Sequence, residues 1–505
     1  MLNDGDLTVG RYGRGTLHAF FQGELHTGGE VVMGDEEGAE GTLLLSSSTW
    51  HHCASQGWES RQATVTLARS GRADVTIENG GSAILGGNVL LAENETGIAR
   101  VTVVDAASAL VDGTLTVARL GDAIVNVDRG AMLRVDGYGN AIGKGDAQAK
   151  RGDAPWQGSV SIDGPGSRML VANDLTVGDY GNGTVSLTNH GELHTGWDFT
   201  LANGSGTSGQ VTLAGGSSWF HCASQGWEDN DGNLIIGVDG KGEVRIEGGS
   251  TMVSNASYNV LGYSLGGTGV LQVLGTGSRA WFAGCLLLGE DIQGDEGGRG
   301  DVLIGEGATI EAGCMTITKG KATVDGTLRT EMELGMPGLL VWPEGELSGS
   351  GRIIGDVWNF GVVSPGDSPG SLEIFGDLTM GLGGSIEMEI AGIIPGIGYD
   401  QLEVTGTITL AGGLDVLVLG GYLPQVGYEY VFLTAGAITG SFEDVEVSGL
   451  GPGWSYDTRQ GATDYRIWFS YSGAGNGAIP EPCTMALLAA GLTVLHARKR
   501  CARRC

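Results

Sequence analysis

The chain has 505 residues, 94 of them Gly and 11 Pro, and its 28 Lys and Arg against 59 Asp and Glu leave a net charge of −31. Gly is not placed at every third position, which excludes collagen, and the 41 % apolar content excludes a generally disordered chain. The acidic balance excludes a nucleic-acid binder that works through a basic surface, so a large, Gly-punctuated, β-rich protein remains.

At the N-terminus, MLNDGDLTVG has neither the basic n-region nor the apolar h-region of a signal peptide. A long internal duplication follows. DLTVGRYGRGT at 6–16 returns as DLTVGDYGNGT at 174–184, GELHTG at 23–28 returns at 191–196, and HCASQGWE at 52–59 returns at 221–228. On that alignment Met1 falls opposite Met169, inside a repeat unit, and an array that starts there has an uncapped end. The expectation is an upstream start with a signal peptide, to be checked by mapping the native N-terminus.

Within the duplication, Ser/Gly-rich segments close units of about 50–60 residues at Trp50, Leu110, Met169, Trp219 and Trp281. Each unit holds two copies of one pattern: apolar-x-apolar-Gly/Ala, a polar Gly-rich turn, then alternating apolar residues. LTVGDYGNGTVSL and LIIGVDGKGEVRI are examples. Alternation puts one face of a strand inward, and Gly at strand ends permits positive φ. No helical apolar period competes. Coils of roughly 24–35 residues predict an all-β fold, a parallel β-helix (β-solenoid) repeat array over 1–342, rather than a string of β-sandwiches. A dozen coils would make a rod on the order of 60 Å long.

Candidate chemistry is sparse. His51, His52 and Cys53, with His221 and Cys222, are residue types that ligate metals, and Trp50, Trp58, Trp219 and Trp227 flank them. Zinc needs three or four converging ligands, whereas neighbours on a strand point to opposite faces. The preferred reading is a structural corner copied with its repeat, with no metal or cofactor; a metal or glycan contact is the alternative. Cys53 and Cys222 lie about six coils apart, beyond disulfide reach. Cys285 and Cys314 occupy matching points of consecutive coils, where either a disulfide or a ladder of buried thiols fits. Acidic residues collect in turns such as 34–41 and 289–298 and read as a solvated surface. RGD at 151–153 and 299–301 reads as coincidence in so Gly-rich a chain. No phosphate loop, nucleophile elbow or HExxH occurs.

From about Pro343 strands lengthen and aromatics grow denser, which predicts a terminal solenoid segment over 343–471 that closes the core. Residues 472–479 form a Gly/Ala/Ser linker. Then come Pro480, Glu481 and Pro482, an apolar run over 483–497, and the basic residues Arg498, Lys499, Arg500, Arg503 and Arg504. As a helix the run spans roughly 22 Å, short of a hydrocarbon core of ~30 Å, yet the cations behind it fit a cytoplasmic stop. Without those five cations the remaining charge is about −36.

This three-part tail resembles the PEP-CTERM sorting signal of Gram-negative bacteria. The repeats are similar to autotransporter/PEP-CTERM-associated repeats over roughly 1–330, and VSPGDSPGSLEIFGDLT and GYDQLEVTGTITLAGGLDVLVL resemble the ends of autotransporter passenger β-helices. The roughly 30 residues after this segment are too few for a membrane β-barrel, so the expectation is a passenger-like body that is not self-secreting. The resemblance implies an exosortase-type processing enzyme as partner and transient inner-membrane insertion of 483–497. It also implies an exported product at the cell surface or in the extracellular matrix. The reading is a structural or adhesive β-helix protein whose partner is an extracellular polysaccharide or a neighbouring cell surface. The alternative is a polysaccharide-active lyase or hydrolase, an inference from fold analogy.

Overall fold

A computed structural model describes residues 1–57, 62–146, 156–227, 231–290, 293–294, 297–331, 337–366 and 368–472. The described residues form 47 strands and no helix, and the strands join into one continuous stack. The expected C-terminal helix, the Pro-Glu-Pro motif at 480–482, the basic residues at 498–504 and nearly all of the linker lie outside the described residues. Among the described residues no helix is long and apolar enough to cross a membrane.

Through most of the chain each coil carries three strands. Leu7–Val9, Arg14–Phe20 and Glu24–Thr27 form the first set, and Val31–Met33, Glu40–Ser46 and Thr49–His52 the next. Each strand pairs in parallel with its counterpart one coil on, such as Leu7 with Val31 and Leu17 with Leu43. Parallel in-register stacking puts like residues above like, so the inward residues form columns. Leu43 and Leu45 pair with Val75 and Ile77, and all four are buried. No coil can bury its inward face alone, and each depends on its neighbours.

The coil period follows from the partners. Val31 pairs with Val65, and Val65 with Val89, so a long coil is followed by a short one. A unit of about 50–60 residues is therefore two coils, and the longer coils carry their extra residues between His52 and Val65 and between His221 and Asn233. The Gly/Ala position after each short strand has one cause. Gly10, Gly34, Ala68, Ala92, Ala118 and Gly178 all sit at φ between 53° and 82°. The coil turns its corner through the left-handed region there, which Gly adopts freely and Ala, without a branched Cβ, tolerates best among the rest.

The acidic turns are more ordered than a solvated surface. Arg11 approaches Asp35 at 3.7 Å, Arg69 bonds Asp35 at 2.7 Å and Glu93 at 3.2 Å, and Arg119 approaches Glu93 at 3.6 Å. Alternating charges thus climb one corner across successive coils. Each pair alone is worth about 0–1 kcal/mol, so the ladder tunes register more than it supplies stability.

The boundary expected at 343 falls inside Leu339–Gly349, which pairs in parallel with strands on both sides. The stack therefore runs through it. Coils do become shorter there, with Leu339 over Val357 and Val357 over Leu378. At the far end Trp454–Gln460 and Asp464–Tyr471 form an antiparallel hairpin, and the second strand pairs antiparallel with Tyr430–Gly440. Tyr399, Tyr430, Phe432 and Phe469 fill the core beneath it, with Tyr399 and Tyr430 edge to face at 5.2 Å. These are the denser aromatics of the terminal segment.

Cys285 and Cys314 pair in register and are joined by a disulfide, with Cα atoms 4.4 Å apart and a sequence separation of 29. Closing a loop of that length restricts the unfolded chain by about 3 kcal/mol. Cys285→Ser is expected to lower stability by about that amount. The check is denaturant unfolding of the variant beside the oxidised and reduced parent. Equal midpoints for all three would show that the bond contributes nothing.

Candidate functional site

In each half of the duplication the GELHTG strand stacks on the strand that leads into HCASQGWE. The strands Glu24–Thr27 and Thr49–His52 stack with Leu25 over Trp50, His26 over His51 and Thr27 over His52. Leu25, Thr27, Trp50 and His52 are buried, so Glu24, His26 and His51 take the other face. One hundred and sixty-eight residues later Leu193 stacks on Trp219, His194 on Phe220 and Thr195 on His221.

On the inner face a polar chain crosses each corner. Trp50 Nε1 donates to Thr27 Oγ1 at 2.9 Å, Thr27 Oγ1 lies 3.0 Å from His52 Nδ1, and His52 Nε2 lies 2.8 Å from the Ala63 carbonyl. A carbonyl only accepts, so His52 carries its proton on Nε2 and Thr27 donates to Nδ1. The second copy repeats the pattern from Trp219 Nε1 to Thr195 Oγ1 at 3.0 Å and on to His221 Nδ1 at 2.9 Å, with the Asn233 backbone bonded to the ring. Ala63 and Asn233 stand where the two loops re-enter the stack, so each chain fastens a loop to the core.

Burial decides the ionisation of these rings. His221 is fully buried, and desolvation lowers its pKa from 6.5 to about 3; His52 is lowered by the same cause. Both are neutral at pH 7, and both ring nitrogens are engaged. Burial also pushes the Cys222 thiol up to about 11, which leaves it protonated rather than a thiolate ligand. His52, His221 and Cys222 thus offer a metal neither a free lone pair nor a thiolate, whereas His51 Nδ1 on the other face is enclosed without a hydrogen-bond partner. Among the described residues no group of three or more His, Cys, Asp or Glu could hold an ion. Cys53 and Cys222 are free and buried.

The outer face holds a second array that sequence reasoning missed. His26 Nε2 lies 3.0 Å from Glu24 Oε2, and its Nδ1 lies 2.7 Å from Ser55 Oγ. In the other copy His194 Nε2 lies 3.3 Å from Glu192 Oε2, and its Nδ1 lies 2.6 Å from Ser224 Oγ. The strand supplies the carboxylate and the imidazole at i and i+2, which share a face. The loop folds back to bring the serine over the ring. The two copies differ in one neighbour: His51 stacks on His26 at 5.0 Å, whereas Phe220 stacks on His194 at 5.1 Å. The available signal was the coincidence that the best-preserved segments of the duplication are these two.

Trp197, Trp281 and Trp342 are about two-fifths exposed, and Trp342 stacks on Phe360 at 5.5 Å. Of the other expected features, Trp58 and the RGD at 151–153 lie outside the described residues. In the RGD at 299–301, Arg299 bonds Asp301 at 2.8 Å within one strand, which occupies both charged groups. No family model matches the chain, and no curated protein matches it.

Proposed function

We propose that the chain is an exported β-solenoid rod with a structural or adhesive role at the surface or in the matrix of a Gram-negative bacterium. The observation that carries this reading is the tail: Pro480, Glu481 and Pro482, the apolar run 483–497, then Arg498, Lys499, Arg500, Arg503 and Arg504. It follows a body of about −36, so the cations are concentrated where an inner membrane would hold them. An exosortase-type enzyme is the processing partner. A stack of more than a dozen rungs at about 4.8 Å each suits display at a distance. The exposed tryptophans suit a polysaccharide or a neighbouring cell surface. The test is fractionation of the native host with and without residues 480–505. Loss of the truncated protein from the surface and medium is expected; the same amount in the same place would overturn the sorting reading.

One observation favours the second reading, a polysaccharide-active enzyme. Glu387 pairs in register with Asp415, and Lys321 bonds Glu346 at 2.6 Å. Glu387 is exposed, but partial desolvation first, then the charges of Glu346 and Asp415, raise the pKa of its carboxyl. A carboxyl held protonated by like-charged neighbours is what glycosidic cleavage employs as its general acid. Release of reducing ends from acidic or neutral glycans, lost in Glu387→Gln, would support it.

A further inference from the structure

We propose that Ser55 and Ser224 are acyl-transfer nucleophiles, each served by a histidine base and a glutamate, and that the two loops hydrolyse short-chain carboxylic esters. A carboxylate only accepts, so the hydrogen-bond partners assign the ring proton. Each glutamate holds the N–H on Nε2, at 3.0 Å in one copy and 3.3 Å in the other. That leaves the Nδ1 lone pair facing the serine hydroxyl at 2.7 Å and 2.6 Å. This is the nucleophile, base and orienting carboxylate of acyl-transfer chemistry, with the two ring nitrogens exchanged relative to the usual order.

The steps balance without a cofactor. Ser Oγ forms a bond to the ester carbonyl carbon as its proton passes to Nδ1, and the glutamate stabilises the imidazolium. Collapse of the tetrahedral adduct breaks the ester C–O bond, and the leaving alcohol takes the proton from Nδ1. Water, deprotonated by the same nitrogen, then cleaves the acyl-serine to give the carboxylic acid.

Three observations distinguish this array from a clip that only closes a loop. A clip needs the serine and the ring, whereas here a carboxylate also sets the tautomer. The triple is kept in both copies although the stacked neighbour changed from His51 to Phe220. The serines stand at the solvent boundary: His26 and His194 are covered, while Gln56, Gly57, Gln225 and Gly226 directly after each serine are exposed. The strongly acidic protein repels polyanions, which favours an uncharged ester. Beside Ser224 the ring of Trp227 lies against Gly196, so close that a Cβ there would meet it at 2.7 Å. That ring gives the second site an aromatic wall.

The test is labelling of the full chain with a fluorophosphonate probe, followed by peptide mass spectrometry. Ser55 and Ser224 should label, and far faster than the exposed Ser350. His194→Ala should slow labelling of Ser224 by about 100-fold or more and leave Ser55 unchanged, and His26→Ala should do the converse. Each site thereby controls for the folding of the other. Glu192→Gln, which preserves shape, should slow Ser224 by about tenfold or more. Turnover of p-nitrophenyl acetate should vanish in the Ser55→Ala, Ser224→Ala double variant. Labelling no faster than at Ser350, or labelling that persists in both His194→Ala and Glu192→Gln, would overturn the proposal and leave the array as a loop clip.

Discussion

Acidification from about pH 7 to about pH 4 is expected to loosen the coils around His221 and to tighten those around Asp400. The folded pKa of His221 is depressed from 6.5 to about 3 by burial. Its contribution is present above pH 6.5 and is lost as pH falls toward 3, because the unfolded chain binds the proton first. At about 1.4 kcal/mol per unit the full loss is on the order of 4–5 kcal/mol. His52, lowered by the same cause, adds in the same direction.

Asp400 runs the other way. It is 1 % exposed, and burial raises its pKa from 3.8 to about 7, against the opposing donation from the Gly370 and Glu389 amides at 2.7 Å. Its contribution is full below pH 3.8 and is lost as pH rises through 7. A single global melting temperature would therefore blend two opposed effects. Coils open locally in a stacked array, so hydrogen exchange separates them. Protection factors for Glu192–Thr195 and Ser218–His221 should fall at low pH while those for Ser371–Phe375 rise. His221→Gln should flatten the first change alone. Protection that is independent of pH at His221 in the parent would refute the neutral buried ring.

Trp219→Ala is expected to cost about 3–5 kcal/mol. The indole is fully buried, packs on Phe199 at a centroid distance of 4.6 Å, and donates to Thr195 Oγ1 at 3.0 Å. Truncation leaves a cavity between stacked coils and removes the first member of the polar chain that reaches Asn233. Trp281→Ala is the comparison. Trp281 stands two rungs further along the same column of strands but faces outward and is 40 % exposed, so its loss should cost under about 1 kcal/mol. Denaturant unfolding of both variants reads the difference. Trp219→Phe should fall between them, because it keeps most of the packing and loses only the N–H. Similar costs for Trp219→Ala and Trp281→Ala would mean that the corner is not a load point of the stack.

Much of the candidate site was open to sequence reasoning in kind but not in arrangement. That His51 and His52 face opposite ways follows from strand alternation. Which of them is inside depends on the register of Thr27 over His52, a contact between residues 25 apart. The Ser55–His26 and Ser224–His194 contacts needed more still, because a loop must leave the stack and fold back onto the previous coil. Loop paths are set by many weak contacts and have no period to read.

The amino-acid sequence by itself determined the repeat, the coil length of roughly 24–35 residues, the Gly/Ala corners and the inward columns. These are periodic, and a pattern of period two with a left-handed corner has few ways to be buried. It also carries the tail on which the proposed sorting reading rests, a pattern of composition and order. Only the tertiary structure decided that Cys285 and Cys314 bond, that the acidic turns become a charge ladder, and that a serine, a histidine and a glutamate converge twice. Those outcomes depend on which residues stand one coil apart at a given corner, and that is a property of register and loop path.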